Sequence, residues 1–172
     1  MSTPAGRDDD IAPQNEPEYR AAAVRDAAPA DADGDERSAE LDRLSAECLA
    51  APERIEPQIA LWRAVAALDH WFFINRGEAE NPRPYALAAP SGNLVCVYSS
   101  PSRARDAARA AGLIAADASV ELLSVAVPGA IEWVLSLGER GVAGVVVDHP
   151  QIGAWTPLPN LERLRAERTP PV

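Results

Sequence analysis

The stretch Val120–Leu158, VELLSVAVPGAIEWVLSLGERGVAGVVVDHPQIGAWTPL, decides the fold class. Val120, Leu122, Leu123, Val125 and Val127 form an apolar run without clean alternation, the pattern of a strand buried on both faces. Pro128 suits the first turn of a helix, where its missing N–H has no partner to lose. Ile131, Val134, Leu135 and Gly138 then fall at helical spacing, with Trp133 and Leu137 on a neighbouring face. Gly141 is placed for the left-handed residue that ends a helix. Ala143 to Val147 makes a second apolar run, closed by Asp148. This strand–helix–strand pattern fits a βαβ unit, whose strands would lie parallel if they share a sheet. Beyond Pro150 and Gly153, Ala154–Leu158 reads as a short strand that Pro157 confines to an edge or a strand end.

Upstream of this stretch lie three more strands. Trp71–Ile74 is the first, and Tyr85–Ala89 and Leu94–Tyr98 form a hairpin across the turn cluster Pro90-Ser91-Gly92-Asn93. A helix follows through Ala111, with Ser100 as its N-cap, Gly112 at its end and Ala104, Ala107, Ala108 and Ala111 on its inner face. Two helices precede the strands. The first is expected from Ser38, with Leu41, Leu44, Cys48 and Leu49 on one face. The second runs from about Glu53 to Leu68, with a stripe of Ile55, Ile59, Trp62 and Ala66 beside Leu61, Val65 and Leu68. A last short helix is expected over Asn160–Arg168, capped by Asn160 and packing through Leu161 and Leu164. The fold class is therefore α/β: one mixed-sheet domain with an antiparallel hairpin start and a βαβ unit, preceded by helices.

Charge divides the chain. Residues 1–40 carry eleven acidic groups and four Arg, a net of −7, whereas residues 41–172 carry fifteen and twelve, a net of −3. Residues 1–36 hold few apolar side chains larger than Ala and are expected to form a disordered acidic tail. Residues 37–69 then supply the N-terminal helices, 70–168 the α/β domain and 169–172 a C-terminal tail. A nucleic-acid binder needs a basic footprint, which this sequence does not show. No basic patch or long apolar segment points to a membrane. All sixteen basic residues are Arg and alanine is abundant, as in a high-GC bacterial genome. With no secretory signal and two cysteines, Cys48 and Cys96, in apolar contexts, a reducing cytoplasm is the expected compartment.

Catalytic signatures are missing. The chain has no glycine-rich nucleotide loop, no nucleophile elbow and no cysteine pair at zinc-site spacing. No cofactor and no metal are expected. Two Asp-His dipeptides, Asp69-His70 and Asp148-His149, each stand where an element ends. Together they offer a metal or acid–base site, although both residue types are also common at such ends. Trp155 stands beside a turn and near an edge strand. Either it folds back over the core beside Trp133, or its ring is exposed beside Tyr98, Ser99 or His149 as a docking patch.

An ordered set of residues resembles a known family. Trp71-Phe72-Phe73, Pro84-Tyr85 and Val97-Tyr98-Ser99-Ser100 are followed by Leu122-Leu123-Ser124-Val125, Ile131, Leu135, Gly141, Gly144-Val145-Val146-Val147, Trp155 and Leu158. Over about residues 60–164 the pattern is similar to the SseB-like N-terminal domain of bacterial cytoplasmic proteins. Asp148, His149 and Pro150 depart from it, since the family often carries Asn and Gly after that strand. The resemblance implies a small α/β fold and a non-catalytic interaction or regulatory role with an unknown protein partner. The alternatives are a small-molecule pocket at the carboxyl ends of the parallel strands, lined by Asp148, His149, Ser99 and Ser100, and a metal-dependent hydrolase built on the Asp-His pairs.

Overall fold

The structure is a computed structural model that describes residues 32–78, 80–115 and 117–168. Of the expected tails, 1–36 and 169–172, residues 1–31 and 169–172 lie outside the described residues. In chain order the elements are α1 (Ala32–Ala50), α2 (Ile55–Ala66), β1 (His70–Ile74), β2 (Ala86–Ala89), β3 (Gly92–Val97), α3 (Pro101–Ala110), β4 (Leu122–Ala126), α4 (Val127–Ser136), β5 (Val142–Val147), β6 (Ala154–Pro157) and α5 (Leu158–Arg168). The mixed α/β class expected from the sequence is what the chain forms.

Four strands make one sheet in the order β2-β3-β5-β6, with β3 and β5 parallel and both outer pairs antiparallel. The expected hairpin is β2–β3, and only Pro90 and Ser91 separate the paired residues Ala89 and Gly92. The parallel neighbour of β5 is not the strand that precedes α4. β4 pairs antiparallel with β1 in a second, two-stranded sheet. A bridge between Phe72 and Tyr98, with N–H···O distances of 3.0 and 2.9 Å in the two directions, ties β1 to the end of β3. Two antiparallel steps therefore leave β4 running in the same direction as β5, with β1 and β3 between them. The strand–helix–strand pattern is real, but its strands are not neighbours.

Side-chain alternation sorts the core into two layers. Val95, Val97, Val145 and Val147 join Trp71, Phe73, Leu123 and Val125 on one face, against α1, α2, α4 and α5. There Phe73 meets Trp133 edge-on at 5.0 Å between ring centroids. Cys96, Tyr98 and Val146 face the other way with Ile74 and Leu122, under the Ala104, Ala107 and Ala108 stripe of α3. Among the described residues one alanine-lined helix covers that face, where four cover the opposite one.

Several helix details differ from expectation. α1 begins at Ala32, so residues 32–36 are helical and Ser38 lies inside the helix, buried, rather than at its cap. Asp35 and Glu36 sit early in that helix, where its dipole favours negative charge. Leu41 and Leu44 are buried and Cys48 is half-buried, but Leu49 is 80% exposed. In α2 the buried residues are Leu61, Trp62, Val65 and Ala66, while Ile55 is 64% exposed. Leu49 and Ile55 flank the turn that joins the two helices, and that turn stands clear of the core. α5 starts at Leu158, which puts Asn160 inside it; the Asn160 amide donates to the Thr156 hydroxyl at 3.3 Å instead of capping the helix. α3 forms as expected: Pro101 opens it, and the Ser100 hydroxyl accepts the Arg103 N–H at 3.3 Å.

Candidate functional site

The carboxyl ends of the parallel strands β3 and β5 converge on Asp148. Its backbone sits at φ 46°, a left-handed conformation that costs most L-residues energy and that Asp tolerates better than most. The carboxylate turns inward, 1% exposed for the residue as a whole. Oδ1 accepts the Ser99 N–H at 2.8 Å, and Oδ2 accepts both the Ser99 hydroxyl and Arg103 Nη1 at 2.7 Å. Arg103 reaches this point because it stands three residues after the α3 cap, next to the inward-facing Ala104.

α1 closes the arrangement. Arg103 Nη2 donates to Asp42 Oδ2 at 2.7 Å and to the Ser38 carbonyl at 3.3 Å. The Ser38 and Ser99 hydroxyl oxygens are 3.2 Å apart. Ser99 spends its proton on Asp148, so Ser38 is the donor of that pair. Burial alone would lower the pKa of the Arg103 guanidinium, but the hydrogen bonds and charges of Asp42 and Asp148 outweigh it and hold the group above its ordinary value. Short charge-assisted bonds of this kind are the strong ones in proteins. Here they fasten α1, α3 and two strand ends together.

The site residues named from the sequence therefore separate. Tyr98, Ser99 and Asp148 are buried, so they do not form a surface patch with Trp155. His149 is half-buried. Tyr98 points to the α3 side, and its hydroxyl has no hydrogen-bond partner among the described residues. Both phenol and the neighbouring Cys96 thiol are pushed upward in pKa by burial, Cys96 to about 12. Around the expected crevice stand Ser38, Asp42 and Arg103, bonded to Ser99, to Asp148 and to each other. The two Asp-His pairs also differ in surroundings. Asp69 and His70 are exposed, with Asp69 on Arg37, while Asp148 is committed to Ser99 and Arg103. Among the described residues, no three metal-ligating side chains gather. Cys48, on α1, and Cys96, within β3, are free thiols.

Trp155 takes the exposed alternative, at 53%. It pairs opposite Val146, which puts its side chain on the α3 face of the sheet. α3 packs over residues of β1, β3, β4 and β5 but none of β6, so among the described elements α3 does not cover the indole. The other three tryptophans are buried. Sequence reasoning missed Arg103, Ser38 and Asp42. The signal was present: Ser38, Asp42 and Ser45 recur at i, i+4 and i+7 beside the apolar stripe of α1. No family model and no curated protein matches this chain. No described helix is long and apolar enough to cross a membrane.

Proposed function

We propose that this chain is a cytoplasmic bacterial protein-interaction module of the SseB-like type, without catalysis of its own, and that its docking surface is the β6 edge around Trp155. The observation that carries this reading is the exposed indole on an outer strand, on a sheet face that α3 leaves open. A large, rigid aromatic at such a position is the residue type that dominates binding energy in interfaces. The polar residues best placed for chemistry, Ser99 and Asp148, bond to each other and to Arg103, which fits a structural duty. The test is comparative capture. Parent protein and a Trp155→Ala variant are used as baits in a lysate of the source bacterium. A partner retained by the parent and lost by an equally stable variant supports the reading. Equal capture by both baits sinks it.

A further inference from the structure

We propose that the polar latch between α1 and Asp148 sets how Trp155 is presented, an inference that rests on the docking reading of Trp155. The route is short and every link is a bond. Ser38 and Asp42 of α1 hold Ser99 and Arg103, and both of those hold the Asp148 carboxylate. Asp148 is also the first residue of the turn into β6. Its N–H donates to the Val97 carbonyl at 2.9 Å and its carbonyl accepts the Ile152 N–H at 2.9 Å. Gly153 N–H then donates to the Val147 carbonyl at 3.1 Å, and Trp155 follows two residues later.

The turn has a reason to depend on the latch. At φ 46° the Asp148 backbone is disfavoured, and the bonds its carboxylate makes help its two backbone hydrogen bonds to hold it there. Loss of those bonds frees the turn to relax, and among the described strands β6 pairs with β5 alone. The α1 end of the latch is suited to release. Its contacts there are hydroxyl and carboxylate groups, which water can replace at modest net cost, whereas the apolar anchors Leu41 and Leu44 hold the helix to the core. The latch and the turn thus form one two-position device: closed, with Trp155 held on an ordered edge strand, or released, with that edge loosened.

Hydrogen exchange on the full chain, read by mass spectrometry, tests this without any partner. Asp42→Ala should speed amide exchange in residues 148–157 by about tenfold, the effect of losing one charge-assisted bond, and Ser38→Ala, which removes only the neutral hydroxyl pair with Ser99, by about threefold. Iodide quenching of Trp155 should change in the same variants. Asp69→Ala, which breaks the Arg37–Asp69 pair at the same end of α1, serves as the control and should affect α1 alone. If Asp42→Ala does not fold, Asp42→Asn keeps an acceptor on Arg103 and should give a smaller change in the same residues. Faster exchange confined to α1 in the Asp42 and Ser38 variants would overturn the proposal, as would an equal change at 148–157 in Asp69→Ala. Because these readouts need no partner, they stand apart from the capture experiment, whose failure would remove the docking role of Trp155 and leave the coupling measured.

Discussion

Asp148 grips Ser99 with both carboxylate oxygens, one on the backbone N–H at 2.8 Å and one on the hydroxyl at 2.7 Å. Two strand ends that belong to different stretches of sequence are thereby locked side by side. The grip also neutralises Arg103, whose side chain is 11% exposed. Removing one partner of a buried pair costs far more than the pair contributes, because the other is left without compensation. Asp148→Ala is expected to destabilise the domain by about 3–5 kcal/mol. Asp42 still engages Arg103 in that variant, which places the loss at the lower end of the range. Chemical denaturation with linear extrapolation measures it, and a loss below about 1 kcal/mol would mean the cluster is not fastening the fold.

Alkaline stability should report the α3 side of the core. Burial raises the Cys96 thiol from 9.0 to about 12 and raises the Tyr98 phenol as well. In the unfolded chain both groups ionise at their ordinary values, so between about pH 9 and pH 12 the unfolded state binds fewer protons than the folded one. Stability is then fully present below about pH 9 and falls as pH rises toward 12. Cys96→Ala should flatten that fall, seen as a smaller drop in melting temperature from pH 8 to pH 10.5. Tyr98→Phe carries a separate expectation at neutral pH. Its buried hydroxyl has no hydrogen-bond partner among the described residues, so deleting it should be neutral or stabilising by up to about 1 kcal/mol.

Gly144 tests how β5 and β6 meet. A Cβ there would fall inside contact distance of the Thr156 carbonyl oxygen and 3.1 Å from Pro157 Cα. Both obstacles are backbone, so neither can swing aside. Gly144→Ala should push β6 away from β5 at a cost of about 1–3 kcal/mol. Faster amide exchange at residues 154–156, with β2–β3 unchanged, is the expected signature. An unaffected β6 would show that the two strands are not as close as their register implies.

Local chemistry was legible in the sequence where it is settled within a few residues. The Ser100 cap and Pro101 start of α3 act through the next turn, and Gly141 ends the α4 region at φ 90° as its position suggested. The buried runs of β4 and β5 were legible for the same reason, since burial on both faces leaves no polar alternation. Strand neighbours were not. Nothing in Leu122–Ala126 says that it pairs with His70–Ile74 rather than with Val142–Val147, because that choice is made by long-range packing. The exposure of Ile55 and Leu49 was hidden likewise: helical spacing marks a face but not how far along the helix the core extends. The Asp148 cluster draws on three separate segments, and only Ser99 and Asp148 were singled out in advance as site residues.

Trp155 offers the sharpest test, because exposure sets it apart from Trp62, Trp71 and Trp133. Those three are buried at 7% or less, and Trp155 is 53% exposed. Iodide does not penetrate a packed core, so it should quench one component of the tryptophan emission and leave the rest. Trp155→Ala should remove that component while costing about 1 kcal/mol or less, as expected for a side chain outside both core clusters. Loss of partner capture in the same variant would then be a binding effect and not an unfolding one. A variant that melts many degrees lower, or a parent whose emission iodide leaves untouched, would place the indole within the fold and take the docking surface away from β6.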